Sequence, residues 1–296
     1  MPLPRLPLLR AAAALLLPFQ ALTAQSLPVP LACPAPEPNG LLVYFLDVGQ
    51  GDAILLRGPD GRNILVDAGE PKSVTADALR LLRVQQLDLV VISHYHHDHI
   101  GGLPEVFNAV RVANVLENGL PATTKSFQRT LAAMEAEGSR VLAASERTIT
   151  VGEMAMQVLP PSLRPQSQNL ASVGVIARYG AFQLLLTGDA ETETVDWWTT
   201  RRAIPAVTVV KAGHHGSRNA TTRALVDATR PEMVVISAGT GNSYGHPHPE
   251  ALALWSARTR RVLRTDLEGT IAMRGCRDGT FRVRSSRGTV TTGGRP

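Results

Sequence analysis

The 296-residue chain is short of aromatics, lysines, cysteines and long apolar runs. Phe, Trp and Tyr make up 4% of it, so its core must be built mainly from Leu, Val, Ile and Ala. Lys72, Lys125 and Lys211 are its only lysines, and its net charge of +5 is therefore carried by arginine. With 44% apolar and 19% charged residues, the composition excludes a disordered tail protein, a collagen-like repeat and a polytopic membrane protein. No segment beyond the N-terminus is long and apolar enough to span a bilayer, for which ~20 residues are needed. Its two cysteines, Cys33 and Cys276, allow one disulfide between the N-terminal region and the C-terminal strands if the compartment is oxidising.

The termini are the unusual parts. Met1 to Arg10 carries two arginines and no acid, and residues 11–22 form an apolar run broken by Pro18 and Gln20. This reads as a signal peptide over 1–24, cleaved after Ala24, which places the mature protein outside the cytoplasm, periplasmic or extracellular. A rival reading takes Leu31-Ala32-Cys33 as a lipoprotein processing site. Residues 25–40, rich in proline, form a linker or strap. At the other end, residues 258–296 hold ten arginines against Asp266, Glu268 and Asp278, a local charge of about +7. Such a stretch suits a polyanionic partner, and equally a solvated arginine-rich face. Nothing in the sequence identifies a protein partner.

Between residues 41 and 285 the punctuation is regular. Leu41–Val48, Ala53–Leu56, Asn63–Val66 and Asp88–Ile92 read as buried strands separated by Gly-rich turns. Residues 74–84, with Ser73 as N-cap, and 124–137 have helical spacing. A hairpin over Ser172–Tyr179 and Ala181–Leu186 turns at Gly180. Helices over Glu191–Ala203, Ala220–Thr229 and Pro249–Ala257 then alternate with strands at Val207–Val210, Met233–Ile236 and Arg261–Leu263. Short strands over 269–285 precede a tail at 286–296. Hairpins followed by helix–strand alternation predict a layered α/β protein with helices covering sheets.

All eight histidines fall into three clusters: His94, His96, His97 and His99; His214 and His215; His246 and His248. The first cluster follows an apolar strand. At the end of an extended segment alternate side chains point the same way, so His94 and His96 can converge on one cation. Asp98 and His99 open the next turn and can serve a second. Imidazole with carboxylate suits zinc, and also manganese or iron. Asp189 ends the strand FQLLLTGD, where its carboxylate can face a site at the sheet edge.

The motif His94-x-His96-x-Asp98-His99 resembles the metal motif of the metallo-β-lactamase superfamily. Leu46-Asp47-Val48-Gly49-Gln50-Gly51-Asp52-Ala53, Val66-Asp67-Ala68-Gly69, Leu186-Thr187-Gly188-Asp189 and Lys211-Ala212-Gly213-His214-His215-Gly216-Ser217 narrow the likeness. With Tyr244-Gly245-His246-Pro247-His248-Pro249-Glu250 and Arg264-Thr265-Asp266-Leu267-Glu268-Gly269, they resemble the C-terminal hydrolase domain of ComEC-type competence proteins. The resemblance, covering about 41–285, implies an αββα sandwich with two divalent metal ions, zinc or manganese, at the ends of the strands. It implies that His94 and His96 hold the first ion and Asp98 and His99 the second. Asp189 would bridge the two, and His214 or His215 would complete the second. Asp67 would orient a ligand or simply form a turn. Two departures stand out. No histidine lies between His99 and Asp189, where most dinuclear members have one, and His96 stands where many ComEC-type domains carry Asp. In that gap, Asn169 or Ser172 contacts metal or phosphate, or caps a strand.

Two cations of this kind activate water near neutral pH and stabilise a pentacoordinate phosphate. Asp98 is the candidate to orient the nucleophile, and His246 to contact a phosphate oxygen or protonate a leaving alkoxide. Ser217 is a weaker substrate-binding candidate, and Lys211 either faces phosphate or flanks its strand. The expected activity is an exported, metal-dependent phosphodiesterase or nuclease acting on DNA. Hydrolysis of another ester (a phosphorylcholine ester, a lactone or a β-lactam) is the alternative, as is a DNA-binding accessory without turnover.

Overall fold

The computed structural model describes residues 27–162 and 165–294, so the signal peptide expected at 1–24 lies outside the described residues. Two sheets pack face to face. The first has nine strands, ordered Val290–Gly293, Phe281–Ser285, Ile271–Gly275, Leu41–Phe45, Ile54–Arg57, Asn63–Val66, Leu89–Val91, Asn114–Glu117 and Arg140–Ala143. The second has seven, ordered Val262–Arg264, Met233–Ile236, Val209–Lys211, Phe182–Leu186, Gly174–Tyr179, Met154–Leu159 and Arg147–Val151.

The two-residue period of a strand decides which layer each side chain serves. In Leu41–Phe45, Leu41, Val43 and Phe45 enter the apolar layer between the sheets, where they join Val158, Val175 and Phe182 of the second sheet. Tyr44 points the other way, into a layer closed by Leu79, Val106 and Met134 of the covering helices. The outer face of the second sheet is closed likewise by Val195, Trp198, Leu225 and Trp255. Helix, sheet, sheet and helix thus form the αββα sandwich.

Three stretches depart from the sequence reading. Residues 139–159 form the strands Arg140–Ala143, Arg147–Val151 and Met154–Leu159. The first two are sheet edges with largely exposed side chains, so neither shows the buried pattern of a central strand. The sheet also continues past residue 285, because Val290–Gly293 pairs antiparallel with Phe281–Ser285. Finally, the strand opening at Leu41 ends at Phe45, and Leu46–Val48 bends away into the loop that approaches the histidines.

Cys33 and Cys276 form a disulfide across a sequence separation of 243 residues, tying the proline-rich strap to the strand Ile271–Gly275. Beside it, Arg274 Nε donates to the carbonyl of Leu31 at 3.1 Å. A bonded Cys33 has no thiol to acylate, which sets the lipoprotein reading aside. Cross-linking the chain over so long a loop restricts the unfolded ensemble. Replacing both cysteines with serine should lower the unfolding free energy by about 2–4 kcal/mol in a urea titration. An unchanged midpoint would refute the bracing role.

Candidate metal centre

Parallel strands bring the site together. Asn63–Val66 and Leu89–Val91 run parallel in the first sheet, as do Phe182–Leu186, Val209–Lys211 and Met233–Ile236 in the second. Asp67, Ser93–His99, Asp189 and His214–His215 all follow the carboxyl ends of these strands, the usual place for a site in such sheets. Gly51 lets the Leu46–Ala53 loop close over the cluster. It has φ +127°, and a Cβ there would lie 2.1 Å from the carbonyl oxygen of Asp98.

One oxygen is the hub. Asp189 Oδ2 lies 3.2 Å from His99 Nε2, 3.4 Å from His215 Nε2, 3.7 Å from His214 Nε2 and 3.9 Å from His94 Nε2. Asp98 Oδ2 adds a second carboxylate 3.3 Å from His215 Nε2 and 3.9 Å from His99 Nε2. On the other flank, His94 Nε2 is 3.0 Å from His96 Nδ1.

The ligand candidates are held from behind. Asp67, wholly buried, accepts from Ser93 N at 2.8 Å, from the Ser93 hydroxyl at 2.7 Å and from His99 Nδ1 at 2.8 Å. That fixes His99 with Nε2 turned towards Asp189. His215 Nδ1 faces the carbonyl of Ser237 at 3.1 Å, which turns its Nε2 inward in the same way. Three atoms so aimed, His99 Nε2, His215 Nε2 and Asp189 Oδ1, are buried without a hydrogen-bond partner. Buried polar atoms seldom stay unpaired, and convergent imidazole and carboxylate donors are what a divalent cation satisfies. Asp98, His99, Asp189 and His215 offer ligand atoms all within 4.8 Å of one another, so the residues fit the ion that the sequence implies.

The electrostatics agree. Burial opposes charge on His99, but Asp189, Asp67 and Asp98 together hold it well above the ordinary imidazole range. His215 is likewise raised to about 9, its burial outweighed by Asp189 and Asp98. Burial depresses His94, His96 and His214. At pH 7 the metal-free His99 and His215 are protonated, and a cation must expel both protons to bind. Loading that site should therefore release protons, and affinity should rise with pH through about 9, where His215 loses its own. Metal titration in weak buffer with a pH indicator measures this, and titration without proton release would contradict it.

The structure separates His214 from His215. Both have left-handed backbone, φ 47° and 54°, an uncommon and costly geometry for two successive non-glycine residues. The kink sends His215 inward, 1% exposed, to Asp98 and Asp189. It leaves His214 partly exposed, with Nδ1 3.5 Å from Glu191. His215, and not His214, thus groups with Asp98, His99 and Asp189 as a set of potential ligand atoms.

Of the other candidates, Asn169 and His246 line the cleft and Ser172, Ser217 and Lys211 do not. Ser172 is wholly buried and accepts from the backbone N–H of Asp189 at 3.2 Å, so it fixes the hub from beneath instead of facing substrate. Ser217 is also buried, and its hydroxyl accepts from Asn219 N at 3.3 Å within a turn. Asn169 does line the cleft, donating to Glu191 at 3.0 Å. His246 stands at the cleft with its ring 5.4 Å from that of His214. Burial, with His215 and His214 beside it, pushes His246 down to about 4. Its ring is neutral at pH 7, so it hydrogen-bonds but has no extra proton to give a leaving group. Lys211 neither flanks its strand idly nor faces phosphate. It is fully buried against Asp52, which sequence reasoning passed over. Asp52 Oδ1 in turn lies 3.6 Å from His215 Nδ1.

The cleft above the cluster, about 350 Å³, is lined by Gln50, His96, Asp98, Asn169, Asp189 and His246, among others. A larger groove of about 670 Å³ opens between the edge strands, lined by Arg62, Arg140 and Arg147, and has no histidine.

An αββα sandwich with paired His/Asp clusters at its strand ends is the framework of metal-dependent hydrolases. The chain belongs to the metallo-beta-lactamase superfamily, whose family model matches residues 46–239. It is 30% identical over 266 residues to ComE operon protein 3 of Bacillus subtilis, covering 81% of this chain and 34% of that protein. It is also 30% identical over 238 residues to Competence protein ComA of Neisseria gonorrhoeae, covering 79% of this chain and 32% of the relative. The chain thus spans about a third of the length of these relatives. They agree with the resemblance to ComEC-type competence proteins drawn from the motifs. Among solved structures, CmlA, a diiron beta-hydroxylase from Streptomyces venezuelae, shares the fold at 18% identity and a TM-score of 0.54, covering 81% of this chain and 55% of that one.

Proposed function

We propose that this protein is an exported metal-dependent phosphodiesterase that cleaves nucleic acid. The observation that carries the reading is Asp189 Oδ2, within 4 Å of four imidazoles beneath a small cleft. The competence-protein names of its relatives support nucleic acid as the substrate, and so does the arginine-rich C-terminal stretch. Export is supported by the Cys33–Cys276 disulfide, a bond that persists in oxidising compartments, and by the N-terminal leader pattern. Among the described residues, no helix is long and apolar enough to cross a membrane.

Two divalent ions, zinc or manganese, would be held by His94, His96, Asp98, His99, Asp189 and His215, with His214 beside them. When bound, they supply a nucleophilic water at neutral pH and neutralise charge developing on the phosphoryl oxygens. The protein's own groups do the positioning. Asp67 and the Ser237 carbonyl keep Nε2 of His99 and His215 inward. Asp98, held well below the ordinary carboxylate range against the pull of burial, stays ionised to orient the attacking water. Neutral His246 hydrogen-bonds a non-bridging phosphate oxygen.

The test is incubation of the protein, loaded separately with zinc and with manganese, with single- and double-stranded DNA. Degradation abolished by chelation supports the reading. Intact DNA with a metal-replete protein overturns it and points to other esters.

A further inference from the structure

We propose that Tyr244 is a stacking platform for an unpaired nucleobase of a strand whose phosphate occupies the metal cleft, a proposal that rests on the phosphodiesterase reading above.

Tyr44, Tyr95 and Tyr179 are buried, as tyrosine bodies usually are, whereas Tyr244 is 61% exposed. It lines the same cleft as Asp98, Asp189 and His246. Its ring lies nearly parallel to that of His246, at 20° and 5.8 Å between centroids. The loop that carries it is braced. Asn242 Nδ2 donates to the carbonyls of Gly239 at 2.9 Å and His246 at 2.7 Å, while its Oδ1 accepts from His246 N at 3.0 Å. Gln50 accepts from Gly239 N at 3.1 Å on the near side of the cleft.

An aromatic side chain has few torsions to lose when a flat group covers it on such a braced loop, and covering it removes apolar surface from water. The flat group that accompanies a phosphodiester is the base of the adjoining nucleotide. A base inside a duplex has both faces covered by its neighbours, so only an unpaired or terminal base can lie on Tyr244. The platform therefore selects single strands.

The experiment uses the full chain loaded with manganese, and compares wild type, Tyr244→Phe and Tyr244→Ala. On a single-stranded oligothymidylate, Tyr244→Ala is expected to raise KM about tenfold without lowering kcat, the size of one base–aromatic contact. Tyr244→Phe should restore the KM, and the rise should vanish on an abasic strand of equal length. An unchanged KM in Tyr244→Ala, or an equal rise on the abasic strand, overturns the platform. If the wild type cuts no strand, the phosphodiesterase reading fails, and the platform is judged by binding alone. A 2-aminopurine in the oligonucleotide should then be quenched by wild type and not by Tyr244→Ala. No quenching by the wild type overturns it.

Discussion

Asp189→Ala is expected to abolish hydrolysis and strip the site of metal. The carboxylate sits among four imidazoles, and no other group described reaches as many of them. Without it, His99 and His215 lose one of the two carboxylates that face both their Nε2 atoms, and Asp98 alone is left there to balance a cation. The loss in rate should reach roughly a thousandfold or more, beyond the 10–100-fold typical of removing a group behind a ligand. Asp67→Ala, which unseats the back of His99 and releases Ser93 but removes none of the groups facing Asp189, belongs in that smaller range. Atomic spectroscopy of dialysed protein and initial rates on DNA measure both, with circular dichroism to check the fold. Were Asp189→Ala to keep its metal and most of its rate, the hub would be misassigned.

Lys211→Met is expected to give the largest loss of stability. Lys211 and Asp52 are buried together, their charges paired across the loop that carries the Gly-rich turn. Removing the ammonium takes from the buried Asp52 carboxylate its closest cation and leaves only His215 Nδ1, 3.6 Å away, to face it. Breaking one side of a buried pair typically costs about 3–5 kcal/mol. For a domain of this size that is on the order of a 10 °C fall in Tm. The double variant Lys211→Met with Asp52→Asn should recover part of the loss, because no uncompensated charge remains. A fall of only a degree or two in the single variant would mean that water reaches the pair.

The legible parts of the site were those whose geometry is local. His94, His96, Asp98 and His99 are close in sequence, so strand alternation and one helical turn are enough to aim them. Asp189 was visible because an apolar strand delivers it. What stayed hidden depends on distant contacts or on backbone conformations that composition does not announce. Lys211 and Asp52 are 159 residues apart, and nothing near either names the other. Choosing between His214 and His215 required knowing that both are left-handed, which reverses the direction a regular turn would give. Ser172, in the gap between His99 and Asp189, could be read as a metal or phosphate contact or as a strand cap, and the fold tucks it under Asp189. In the fold itself, buried strands and helices were readable from apolar spacing. The edge strands Arg140–Ala143 and Val290–Gly293 were not, since each is four residues long and little buried, with no apolar-in, polar-out alternation to mark it.

The residues that could hold the ion are divided between the two halves of the sandwich. Asp98 and His99 follow strands of the first sheet, whereas Asp189 and His215 follow strands of the second. An ion shared among them is a reversible cross-brace between halves otherwise joined by their apolar interface. Above the dissociation constant, each tenfold rise in free metal adds about 1.4 kcal/mol to the folded state. Persistence of the folded chain is thereby coupled to the metal content of its surroundings, and chelation exposes it to proteolysis as well as silencing it.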